Sequence, residues 1–178
     1  MINGPFGVGK TSVSRILEQN LKNFIIYDPE EIGFMLSKII PSRLLNDYEK
    51  TDDFQDITLW RIVSSDVAER IINIYGTNLI IPMTIYNVDY FNYILDRLKA
   101  TDPMVYHFCL LADKHTIKKR LESRNDQDGS WPHLQIEKCL KSFNQNKEVF
   151  ETIIDTSKLT ADCVSRIILD RINCINQI

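Results

Sequence analysis

Eight consecutive residues, Gly4-Pro5-Phe6-Gly7-Val8-Gly9-Lys10-Thr11, fit the pattern G-x-x-x-x-G-K-S/T and are followed by Ser12. The layout suits one kind of chemistry. Glycines let backbone N–H groups turn inward around phosphate oxygens, where a Cβ would obstruct, and the helix that follows offers its positive end to the same anion. Lys10 is then placed to reach the β- and γ-phosphates, and the Thr11 hydroxyl to hold Mg²⁺. The motif, a Walker A or P-loop, needs a strand before it and a helix after it. SVSRILEQNL supplies the helix, with Val13, Ile16 and Leu17 on one face. Only Met1, Ile2 and Asn3 precede Gly4, so either the first strand is unusually short or the natural chain starts earlier. With the loop empty, Lys10 is expected to face solvent.

Other residues fall where such a loop would use them. Asp28 ends an apolar run and precedes Pro-Glu-Glu. It is placed to act as a general base toward a substrate hydroxyl or as a Mg²⁺ ligand through water, and it is equally suited to N-cap the next helix. Glu30 and Glu31 read as helix-dipole acids. Arg120 and Arg124 lie four apart on one predicted helix; like charges at that spacing repel unless an anion sits between them. They lead into the polar stretch NDQDGSWPH (125–133), so a lid is expected over 120–134. Arg61 has no acid at i±3 or i±4, which points to a tertiary or ligand partner. Trp60 reads as core. Thr84, ending NLIIPM, is placed at the cleft edge to orient substrate or cap a turn. Trp131 either closes over the nucleotide or anchors its loop. His107 reads as core, and His115 and His133 as solvated.

Two related classes are set aside. The GTPase pattern N-K-x-D fails at Val149 in Asn146-Lys147-Glu148-Val149, and Asp126-Gln127-Asp128-Gly129 spells D-x-x-G in a loop rather than after a strand. An AAA-type or helicase motor would carry an acid at a strand end, and NLIIPMT has none. What remains is the small-kinase style of site.

The elements that must position these residues alternate in type. NFIIYD, NLIIPM, MVYHFCLLA and the weaker TIID are strand candidates. Helices are expected at 11–22, 29–40, 54–75, 88–99, 113–124, 134–150 and 160–173. That order means βαβ units and a mostly parallel sheet covered on both faces. Asp28 at N-cap with Pro29 at N1 starts one helix, and Gly76 caps another. The 178 residues, 44% hydrophobic, suit one domain. The net charge of -3 argues against a nucleic-acid polymer as partner. Cys109, Cys139, Cys163 and Cys174 form no C-x-x-C pair and the three His are scattered, so reduced thiols in a cytoplasmic protein are expected rather than zinc or disulfides. No run approaches the roughly 18 apolar residues of a membrane span, and no signal peptide precedes the motif.

The stretches INGPFGVGKT, YDPEEIGFML, DDFQDITLWR, LIIPMTI and HFCLLADKHTIKKRLESR resemble the tunicamycin-resistance ATP-binding proteins. The nucleoside-monophosphate, shikimate and chloramphenicol kinases are wider relatives. The resemblance covers nearly the whole chain. It implies a three-layer α/β P-loop NTPase fold, nucleoside-monophosphate-kinase-like, with about five parallel strands and helices on both faces, in a single domain over 1–178. It also implies ATP with Mg²⁺. Gly4 to Ser12 would bind the phosphates and Arg120 and Asp155 the nucleotide. Lys10, Asp28, Arg120 and Arg124 would be catalytic, and Asp28, Arg61 and Thr84 would meet the substrate. The expected reaction moves the γ-phosphoryl to a hydroxyl of a small molecule, such as a nucleoside-type or amino-sugar antibiotic, in a monomer or homodimer. The alternatives are a non-catalytic drug-sequestering protein and a nucleoside or nucleotide kinase.

Overall fold

The computed structural model describes residues 1–123 and 130–175. Six short strands, β1 (Ile2–Asn3), β2 (Phe24–Ile26), β3 (Asn78–Ile80), β4 (Pro82–Met83), β5 (Phe108–Leu111) and β6 (Ile153–Asp155), alternate with seven helices. These are α1 (Lys10–Asn20), α2 (Pro29–Ile39), α3 (Thr58–Tyr75), α4 (Val88–Thr101), α5 (Lys114–Glu122), α6 (Trp131–Gln145) and α7 (Ala161–Ile175). Every ladder is parallel: β4-β1-β5-β6 form one sheet and β2-β3 another. β3 and β4 are one path broken at Ile81, whose carbonyl accepts from Ile2 N at 2.8 Å, while Ile80 O accepts from Tyr27 N at 2.9 Å. The chain thus lays five strand paths side by side, with β1 between β4 and β5.

Alternate strand residues supply opposite faces, as the pleat requires. Cys109 packs with Leu36, Trp60, Phe91, Ile94, Phe143 and Phe150. Phe108 and Leu110 pack with Val13, Leu17, Ile117, Val164 and Ile168 on the other side. The fold is therefore a three-layer α/β arrangement, with helices on both faces of a parallel sheet. Burial pushes the Cys109 thiol up to about 12, so it packs as an inert apolar group.

Helix starts follow local chemistry. Asp28 caps α2 through Glu30 N at 3.0 Å with Pro29 in the first turn, and Gly76 closes α3 at φ 60°. Several boundaries differ from expectation. The region 54–75 opens with a 3₁₀ turn, Phe54–Asp56, before α3, because Asp53 caps that turn through Gln55 N. Two further 3₁₀ turns, Ser42–Leu44 and Asp47–Glu49, fill the segment before it. MVYHFCLLA pairs only over Phe108–Leu111. Helix α6 starts at Trp131, before the expected 134, with Pro132 in its first turn, and ends at Gln145. Residues 124–129, which include Arg124 and most of the expected lid loop, lie outside the described residues. Among the described residues no helix is long and apolar enough to cross a membrane.

Candidate active site

The glycine-rich loop leaves β1 through a buried asparagine. Asn3 Oδ1 accepts from Gly4 N (2.8 Å) and Ile85 N (2.9 Å), and its Nδ2 donates to Ile85 O (2.9 Å), pinning the loop to the segment after β4. Gly4 has φ +145°, and a Cβ there would lie 2.2 Å from Leu110 O. Gly7 has φ +73° and faces the Leu121 side chain. Both positions require glycine. Helix α1 begins at Lys10 with no side-chain cap and no acid in its first turn, which leaves its leading N–H groups for an anion. Thr11 and Ser12 are exposed at this end.

Lys10 is not solvent-facing, contrary to expectation. It is buried, and its ammonium donates to Gly4 O (2.9 Å), Pro5 O (3.0 Å) and Thr84 Oγ1 (2.7 Å). The loop that turns its amides one way leaves carbonyls on the other, and these attract the nearest cation. Thr84, buried at the end of β4, therefore sits against the lysine ammonium.

On one side of the loop lies a cavity of about 260 Å³ lined by Val8, Gly9, Ser12, Arg120, Thr156 and Leu159, among others. Arg120 reaches it from α5. Its guanidinium donates to Val8 O (3.1 Å), Thr156 Oγ1 (3.0 Å), Thr156 O (2.7 Å) and Leu159 O (3.4 Å). Asp155 ends β6 but turns outward, accepting from Ser157 N (2.9 Å) and Ser157 Oγ (2.6 Å), which hold its carboxyl below the usual range. Thr156, not Asp155, lines the cavity.

On the other side are acids. Asp28 is half-buried; burial raises its pKa, partly opposed by the Glu30 N–H and by Lys10, while Glu31 adds to the rise. Burial also raises Glu30, opposed by Lys10 and reinforced by Asp28 and Asp53. Asp53 is raised by burial too, though it accepts from Gln55 N (2.9 Å) and the Tyr86 hydroxyl (2.9 Å). Asp56 accepts from the Tyr90 hydroxyl at 3.1 Å. The Arg61 guanidinium lies over the Tyr90 ring (4.9 Å) and near that of Tyr93 (5.9 Å), with Nη1 buried and making no hydrogen bond. Helix α2 can approach this wall because Gly33 has no side chain: a Cβ there would meet the Phe54 ring at 2.2 Å. Trp131 spans the mouth, edge-on to Phe6 at 5.2 Å and donating Nε1 to Asp52 at 2.9 Å.

The family model AAA_18, described as an AAA domain, matches residues 1–138. The chain belongs to the AAA domain family. The sequence argument set AAA-type motors aside, and the solved structures that share this fold include small kinases. The Deinococcus radiodurans tunicamycin resistance protein is similar at 26% identity, over 97% of this chain and 93% of that one, with a TM-score of 0.75. Shikimate kinase from Acinetobacter baumannii (17% identity, 97% and 91% covered, TM-score 0.65) shares the fold. So does a gluconokinase from Sinorhizobium meliloti (15% identity, 98% and 90% covered, TM-score 0.64). No curated protein matched. The resemblance to tunicamycin-resistance proteins is thus met in three dimensions over 97% of this chain.

Within this AAA-family site, Gly4 to Ser12, Lys10, Thr84 and Arg120 converge on the loop, and Asp28 and Glu30 lie within electrostatic reach of Lys10. Arg61 belongs to the Tyr90 wall, and Asp155 faces away. Arg124 is outside the described residues. Trp60 is core, donating Nε1 to Pro29 O at 2.9 Å. His107 is buried, and burial lowers its pKa to about 3. His133, expected in solvent, is buried on α6, because that helix starts early enough to turn it inward. Asp53, Gln55, Tyr86 and Tyr90 were missed. The acids in DDFQD were the only hint, since their partners come from Thr84 onward. Among the described residues no group of three His, Cys, Asp or Glu could hold a metal ion by itself. A Mg²⁺ here would rest on phosphate oxygens and the Thr11 hydroxyl, the mode this small cation favours. The uncapped, acid-free start of α1 beside the glycine turns fits a polyphosphate.

Proposed function

We propose that the chain is an ATP-dependent phosphotransferase acting on a hydroxyl of a small molecule. One observation carries this: the glycine-rich loop, with the Lys10 ammonium on its carbonyl side, lies between a cavity on the Val8–Thr156 side and, on the other, the desolvated Asp28 and Glu30 within electrostatic reach of Lys10. A donor nucleotide and an acceptor on opposite sides of one lysine is the arrangement phosphoryl transfer needs, since that catalysis is mostly positioning and electrostatics. Lys10 and the loop amides hold phosphate oxygens, Thr11 holds the metal, and Arg120 closes the nucleoside side, with Asp155 shaping the turn beside it. When bound, Mg²⁺ offsets charge on the phosphate oxygens. Asp28 takes the acceptor proton; its raised pKa suits a base in a partly dry site. Arg120 also supplies positive charge from the end of α5, on a single domain of 1–178. Arg61 and Tyr90 bind the acceptor.

The similarity to a tunicamycin resistance protein supports a role in drug resistance; a nucleoside-type or amino-sugar antibiotic as acceptor and a cytoplasmic location complete the proposal. A second reading keeps binding without transfer. It is favoured by Asp28 Oδ1, which is already engaged as the α2 cap. ADP release from Mg·ATP, measured with nucleosides, amino sugars, tunicamycin and nucleoside monophosphates in turn, separates the readings. Stimulation by one acceptor class supports transfer. Acceptor binding with no stimulation supports sequestration.

A further inference from the structure

Three acceptors of the Lys10 ammonium differ in origin. Gly4 O and Pro5 O belong to the loop itself, whereas Thr84 Oγ1 comes from the end of β4 and is only 1% exposed. Thr84 is in turn held from the far side: its carbonyl accepts Gln55 Nε2 at 2.7 Å. Gln55, 4% exposed, lies in the 3₁₀ turn Phe54–Asp56, and its backbone N–H is fixed by Asp53, which also binds the Tyr86 hydroxyl. A buried run of hydrogen bonds therefore leads from the acid-bearing turn on one side of the site to the phosphate lysine on the other. A lysine is a point charge on a flexible four-carbon stem, so its head stays where its partners fix it.

We propose that Thr84 and Gln55 are positioning residues: Thr84 holds the Lys10 ammonium against the loop's Gly4 and Pro5 carbonyls, and Gln55 fixes Thr84 from the acceptor-side turn, so the two halves of the site share one hydrogen-bonded relay. This rests on the loop being the seat of ATP phosphates. The relay acts through Lys10, and the atoms of Gln55 reach it only by way of the Thr84 backbone. Its consequence is that a change at Gln55 is felt at the nucleotide.

The test is Mg·ATP titration of the wild-type chain, Thr84→Val, Thr84→Ser, Gln55→Leu and the Val/Leu double variant, with the ¹⁵N signal of the Lys10 ammonium recorded for each. In this relay the Thr84–Lys10 bond is kept with Mg·ATP bound, and an ammonium freed from it loses about the 10-fold that a charge-assisted hydrogen bond is worth. Thr84→Val should weaken Mg·ATP about 10-fold, and Thr84→Ser, which keeps the hydroxyl, should stay within about twofold of wild type. Gln55→Leu should weaken binding about threefold and shift the Lys10 signal. The double variant should be no weaker than Thr84→Val alone, because residues in one network are not additive. Should Thr84→Val fail to fold, Gln55→Leu decides alone, by weaker binding with a shifted Lys10 signal. Wild-type affinity in Gln55→Leu, or effects that multiply in the double variant, overturns the relay alone. A wild-type chain that does not bind Mg·ATP overturns the reading beneath it as well.

Discussion

Asp28→Asn separates the two jobs assigned to Asp28. The cap uses Oδ1, which accepts from Glu30 N at 3.0 Å. Asparagine keeps an oxygen there and ranks with aspartate as a cap, so α2 should start unchanged. What is lost is negative charge and basicity. Loss of a positioned general base costs about 10²–10⁴-fold in turnover, or about 2.7–5.5 kcal/mol of barrier. Asp28→Ala adds the loss of the cap, about 0.5–2 kcal/mol, which in a chain of this size lowers Tm by roughly 1–8 °C. The assay pairs acceptor-dependent ADP release with thermal melting. The Asn variant should melt with wild type and turn over at least 100-fold more slowly, while the Ala variant should be both slow and less stable. Because burial raises the Asp28 pKa, the acid limb of kcat/KM should lie above the ordinary carboxylate range and vanish in Asp28→Asn. An Asn variant that transfers phosphoryl at the wild-type rate would leave Asp28 as a helix cap and nothing more.

Gly4→Ala puts a Cβ 2.2 Å from Leu110 O at φ +145°, so circular dichroism should show a destabilised chain and titration should show ATP binding lost. Glu49 accepts from Asn46 N and Thr58 N, both at 2.8 Å, and these bonds hold its carboxyl down at about 2. Its folded pKa lies below the unfolded value, so its stabilisation is present above the unfolded pKa and is lost as pH falls from about 4.5 toward 2. Glu49→Gln should therefore lower Tm at pH 7, with the gap to wild type closing in a melting series across that window. Glu30 has the opposite sign: burial raises its folded pKa, so its ionised form costs stability as pH rises above the ordinary carboxylate range. Glu30→Gln should raise Tm at pH 7 and leave it unchanged at pH 3. Trp131→Phe keeps the ring beside Phe6 but removes the bond to Asp52. Hydrogen exchange should then speed up at 51–56 while the β-strands stay protected.

Much of this site was legible because its residues act locally. The spacing of Gly4, Gly7 and Gly9 before Lys10 dictates a turn with positive φ, and Asp28-Pro29 dictates a helix start whatever packs around it. Arg61, with no acid on its own helix face to pair with, packs its guanidinium over the Tyr90 ring instead. What stayed hidden depends on residues distant in sequence. Nothing near Gln55 announces Thr84, and nothing near Thr84 announces that Lys10 will fold back on it rather than face water. The 3₁₀ turns at 42–56 escaped because single caps such as Asp53 and the Asn46–Glu49 pair, not periodicity, create them. The strand break at Ile81 carries one mark, Pro82, which has no N–H to give to a ladder, but nothing local says which strand the chain pairs with next.

The most direct measurement is ³¹P NMR of the chain with Mg·ATP and each acceptor that it binds. Transfer predicts loss of the γ-phosphate resonance together with growth of ADP and of a new phosphate-monoester signal on the acceptor, with Lys10→Ala abolishing both. If the γ-phosphoryl passes only to water, giving inorganic phosphate, or stays on ATP while the acceptor remains bound, phosphoryl transfer to a small-molecule hydroxyl is contradicted.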